Sequence, residues 1–69
     1  MKIKFVFINK DNKEILQEET FDWGPMMSAN LNDIIKHNNI YFEVKMNLID
    51  IDNSTNTAIC LEISNPLLG

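Results

Sequence analysis

Carboxylates at alternate positions open the segment DIDNSTN, residues 50–56, and alternating oxygen ligands are how a calcium loop begins. The remainder of that pattern is missing. Thr55 stands at the sixth position, where a glycine makes the sharp turn, and Leu61 at the twelfth, where a bidentate Glu closes the coordination sphere. The segment is expected to be a solvated hairpin turn that holds no divalent metal, and Asn53-Ser54-Thr55 marks the same exposed turn rather than a glycosylation acceptor. His37 is the single histidine and Cys60 the single cysteine. Neither a histidine cluster for a metal nor a disulfide within one chain is therefore available. A reactive thiol needs electropositive surroundings; the residues around Cys60 offer none, so it reads as a small strand residue. His37 reads as a surface group near a helix end. Glu18 and Glu19 cannot serve one site from a strand, because neighbours point to opposite faces. Two glycines cannot build a phosphate-cradling loop. No catalytic group, cofactor or enzymatic activity is expected.

The stretch FDWGPMMSAN, residues 21–30, gathers the only Trp, one Gly, one Pro and two Met. Trp23 and Met27 lie at helical spacing ahead of Leu31, which places them at a core corner turned by Gly24. Met26 points off that stripe, and an exposed Met beside a Trp makes an adaptable contact surface.

Composition excludes further classes. The chain has 69 residues, ten carboxylates, six lysines and no arginine, for a net charge of -4. Duplex binding rests on Lys and Arg neutralising phosphates, and base reading most often on Arg. The lysines are scattered, so no nucleic-acid partner is expected. No apolar run reaches the ~20 residues of a membrane span. MKIKFVFINK alternates and lacks a cleavage site, so it reads as a strand rather than a signal peptide. A cytoplasmic protein is expected. Ile and Asn occur ten times each, which points to an AT-rich source such as a low-GC bacterium, its phages or mobile elements.

Elements follow from periodicity. Residues 2–8 alternate as a strand, with Ile3, Phe5 and Phe7 on one face. A turn at NKDNK leads to residues 14–21, in one of two registers. A two-residue turn pairs Ile8 with Ile15; a three-residue turn pairs Ile8 with Leu16 and Ile3 with Phe21. Pro25 suits the first position of a helix, whose apolar face would be Met27, Leu31, Ile34 and Ile35 and whose stop is Asn38-Asn39; a shorter helix would start at Leu31. Ile40, Phe42, Val44, Met46 and Leu48 alternate as a long strand, with a break of phase at 48–49. A turn at 53–56 leads to a last strand bearing Ile59, Leu61 and Ile63, and pairs Leu48 with Leu61.

The expected architecture is one α+β domain over residues 1–69, a four-stranded antiparallel sheet with one short helix in the order ββαββ. The alternative is a small SH3-like β-barrel with a single helical turn. The expected core is Phe5, Phe7, Leu31, Ile34, Phe42, Val44, Met46, Leu61 and Ile63. Apolar residues also fall on the second face, and a contiguous exposed patch marks an interface. Val6, Ile8, Ile49, Ile51 and Cys60, with Trp23 and Met26, are the expected interaction surface. These features point to a small non-enzymatic protein-binding module, an inhibitor, adaptor or accessory factor, that pairs with itself as a homodimer or with another protein. A structural part of a virion or larger assembly is the alternative.

Overall fold

The computed structural model describes residues 2–22 and 29–68. They form β1 (Lys2–Ile8), β2 (Ile15–Asp22), β3 (Ile34–His37), β4 (Ile40–Asp50) and β5 (Thr55–Ile63). The strands join in one curled sheet, a half-barrel, of order β2-β1-β5-β4-β3. Neighbours run antiparallel except β1 and β5, which are parallel. The α+β expectation is corrected: the described residues contain no helix, and the sheet is mixed with five strands. The SH3-like alternative is corrected too, since no ladder joins β2 to β3 among the described residues.

The expected helix fails for a local reason. Asn38 and Asn39 both have positive φ, 51° and 64°, between paired His37 and Ile40. A two-residue loop with positive φ at both positions is a type I′ hairpin turn, for which Asn is well suited. The residues read as a helix stop therefore reverse a strand. β-Branched Ile34 and Ile35 fit the pleat, with Ile35 turned inward and Ile34 exposed. Leu31, expected on the helical stripe, is exposed in the turn ahead of β3.

The first hairpin uses both expected registers. Ile8 pairs with Ile15, but Phe7 pairs with Gln17 and Ile3 with Phe21. Leu16 is the extra residue of a bulge, which changes the register by one. The turn is built by Asn9, whose Oδ1 accepts from the N–H groups of Asp11 and Asn12 at 2.8 and 3.2 Å, while Lys13 takes a positive φ.

A second bulge sets the rest of the architecture. Val44 pairs with Cys60 and Met46 with Ile59, so Lys45 is the inserted residue. One extra residue inverts every side chain beyond it. Phe42 and Val44 point into the concave face, whereas Met46 and Leu48 point to the outer one. The turn to β5 also lies earlier than expected, at residues 51–54, closed by the Asp50–Thr55 pair. Leu48 accordingly faces Thr57 rather than Leu61.

The core lines the concave face: Ile3, Phe5, Phe7, Ala29, Phe42, Val44, Ala58 and Cys60. A curled sheet crowds its inner side, and β5 meets that crowding with Ala58 opposite Phe5 and Cys60 opposite Phe7. Phe7 and Phe42 touch with ring centroids 4.6 Å apart. The expected core is corrected at Leu31, Ile34, Met46, Leu61 and Ile63, none of which is buried. Phe42→Ala is expected to cost about 3–5 kcal/mol in urea unfolding, and Met46→Ala less than about 0.5 kcal/mol. Equal losses at the two sites would place both side chains on one face and remove the bulge.

Candidate functional site

Beyond Lys45, β4 passes the end of β3 and becomes the edge of the sheet, paired with β5 where β5 itself pairs with β1; this edge segment, residues 46–50, is the arm. On the side away from β5, the last backbone partners among the described residues belong to Val44. Its C=O accepts from Asn32 N–H, and its own N–H donates to the Asp33 carbonyl, both at 2.9 Å. Asn32 can reach over because its φ is 72°, and Asn30 and Asp33 close the turn with bonds of 2.9 and 3.0 Å. Residues 46–50 pair with β5 alone.

That arm and the turn after it expose four large apolar side chains. Met46 and Leu48 are 58% and 57% exposed, Ile49 63% and Ile51 84%. Met46 and Leu48 continue an apolar strip on the outer face, where Val6, Ile8, Ile59 and Leu61 share one side by register. Ile49 lies on the other side, opposite Asn56. Charges on the same face border the strip and pair locally: Lys4 with Glu18 at 3.1 Å and Lys45 with Glu43 at 3.2 Å.

The Asp50 carboxylate, read above as the start of a metal-like loop, is spent on the turn. Asn53 Nδ2 donates to it at 2.8 Å and Asn53 N–H at 3.2 Å. The Asn53 side-chain amide, and then its backbone N–H, hold the carboxyl below its ordinary value of 3.8. Among the described residues, no three of His, Cys, Asp and Glu gather as a metal site.

On the concave side, burial pushes the Cys60 thiol up to about 11, so at neutral pH it is a protonated core group; its Sγ contacts the Ala58 carbonyl at 3.6 Å. Nearby, Asn47 Nδ2 donates to the Ala29 carbonyl, while the Asn47 and Asn56 amide oxygens are buried with no partner among the described residues. His37 is corrected from a helix-end surface group. It stacks on Phe7 at 4.6 Å and reaches the opposite edge strand, with Nε2 3.2 Å from Gln17 Oε1 and 3.9 Å from Glu19 Oε1. Asn38 Nδ2 also donates to Gln17 Oε1 at 3.2 Å. These polar side chains bridge β2 and β3 where no ladder does.

The structure divides the expected interaction surface. Val6 and Ile8 share the outer face, with Val6 buried among its neighbours. Ile49 and Ile51 belong to the arm, and Cys60 is in the core. Trp23 and Met26 lie outside the described residues. Sequence reasoning missed Met46, which it placed in the core, and Leu48, which it read on the same face of the strand and paired with Leu61. The signal present in the sequence was the break of phase at 48–49, which shows that an extra residue enters this strand without showing where.

The fold thus defines an all-β half-barrel, packed on its concave side and carrying one exposed apolar arm. No protein-family model, curated protein or solved structure matches the chain. Among the described residues no helix is long and apolar enough to cross a membrane.

Two outcomes check this chemistry. Iodoacetamide near pH ~8 should leave Cys60 unmodified in the native protein and alkylate it in urea, since the thiolate is the nucleophile; rapid native labelling would place Cys60 elsewhere. The Asp50 carboxyl has a folded pKa below its unfolded one, so its contribution is present above about 3.9 and is lost as pH falls through the folded value. Asn53→Ala should therefore lower the urea midpoint near neutral pH, with the gap to wild type closing toward pH ~2. A gap independent of pH would show that Asn53 acts through packing alone.

Proposed function

We propose that the protein is a non-catalytic protein-binding module that docks through the β4 arm and the adjoining outer face of the sheet. The observation that carries this reading is the arm itself: Met46, Leu48, Ile49 and Ile51 are each more than half exposed within six consecutive residues. Single exposed apolar side chains are ordinary, but Met46 and Leu48 adjoin Ile59 and Val6 on the outer face by register, and contiguous apolar surface of that kind marks a contact surface. Met46 suits such a surface because its unbranched thioether adapts to a partner's shape. The arm also presents a strand edge, and strand addition gives affinity through main-chain hydrogen bonds with side chains setting the choice of partner.

Fully burying each of the four side chains contributes at most about 1.5–3 kcal/mol. Association costs on the order of 4–15 kcal/mol. The contact is accordingly weak to moderate, in keeping with a regulatory or accessory role. Purified wild type, Leu48→Glu and Ile15→Glu, the last on the exposed β2 edge, test the site by affinity capture followed by reconstitution from purified components. A complex that wild type and Ile15→Glu form, and Leu48→Glu does not, is the expected result. Complexes lost equally with both variants, or with Ile15→Glu alone, would move the docking surface off the arm.

A further inference from the structure

We infer that the occupant of the arm is a second copy of this chain, joined edge to edge by antiparallel pairing of β4 about a two-fold axis at Leu48. The inference rests on the docking role proposed for the arm and names its partner.

The edges of the sheet differ in what they permit. β2 carries Glu18 and Glu19 at its middle, so antiparallel pairing with its own copy sets carboxylates opposite or beside carboxylates. Like charges facing across strands are destabilising, and charged side chains are a common guard on edge strands. β3 has only four residues, and its His37, with Asn38 of the turn that follows, is engaged with Gln17. The concave face is filled by its own aromatic side chains. The arm carries its guards only at its ends, the Lys45 bulge and Asp50, and its middle is uncharged. Met46, Asn47, Leu48 and Ile49 are uncharged, and their edge has no backbone partner among the described residues.

Charge also fixes the register. With the axis at Leu48, each Leu48 faces its counterpart, Asn47 faces Ile49 of the other copy, and Met46 faces Asp50. Lys45, paired with Glu43 in its own chain, then stands opposite Ile51 and diagonally beside Asp50 of the second copy at both ends of the ladder, an additional opposite charge in each case. The outer faces of the two copies become continuous, with Met46 and Leu48 of each at the join. A closed two-fold contact of this kind is self-limiting, which an open chain of edges is not. A ladder of about five residues makes a small interface, below the roughly 1,200 Å² of stable complexes. The dimer should therefore form with a dissociation constant in the micromolar range or weaker.

The test is sedimentation over a concentration series, with folding checked by circular dichroism. Wild type should pass from the 8.0 kDa monomer to twice that mass as concentration rises. Leu48→Glu should weaken association about tenfold or more, as should Leu48→Lys, because each variant opposes its own charge at the axis. Mixing these two variants should restore the dimer, and Leu48→Cys should form a covalent dimer on oxidation. If wild type dimerises but the mixture does not recover, the axis is not at Leu48 and the inference is wrong. A wild type that stays monomeric to about 1 mM overturns the second copy as partner. In that case a reconstituted foreign complex lost with Leu48→Glu would leave the docking role of the arm standing.

Discussion

A single inserted residue, Lys45, governs how this sheet divides its side chains. Before it, β4 gives Phe42 and Val44 to the concave core; after it, the same alternation gives Met46 and Leu48 to the outside. Without the bulge those four residues would share one face and the arm would be an ordinary continuation of the core. The bulge is held in place by the turn over residues 30–33, whose Asn32 and Asp33 take both backbone groups of Val44. Bulges also increase local twist, and that favours the curl which brings β3 toward β2.

The curl in turn explains the composition of β5. It is flanked by β1 and β4, and its inward residues meet three phenylalanines across a crowded concavity. Asn56, Ala58 and Cys60 occupy that side, while the larger Ile59, Leu61 and Ile63 take the roomier outer side. Size, rather than hydrophobicity alone, decides which face is core. That is why the outer face of so small a protein remains apolar enough to serve as a contact surface.

The half-barrel is finished by side chains instead of a ladder. Gln17, Glu19, His37 and Asn38 span from β2 to β3, and His37 lies flat against Phe7 beneath them. This leaves the two outermost strands engaged or guarded by charge. Among the described residues, the β4 edge over residues 46–49 has no backbone partner on its outer side and no charged side chain.

Much of this was legible from residue types. Alternation marked the segments of β1, β4 and β5, and the turn around Asn9 marked the first hairpin. Three features were settled only by tertiary structure. Asn38-Asn39 serves equally as a helix stop or a hairpin turn, because both need a left-handed backbone, and the neighbouring β4 strand selects the turn. The first hairpin fits two registers, and the bulge at Leu16 allows both at once. Phe42 and Val44 face the core as expected, but β4 beyond Lys45 and the whole of β5 are inverted, by the bulge and by a turn two residues earlier than expected, since a period of two carries no memory of where an extra residue enters. Local sequence determined which segments are extended; long-range pairing decided which side of each one is buried.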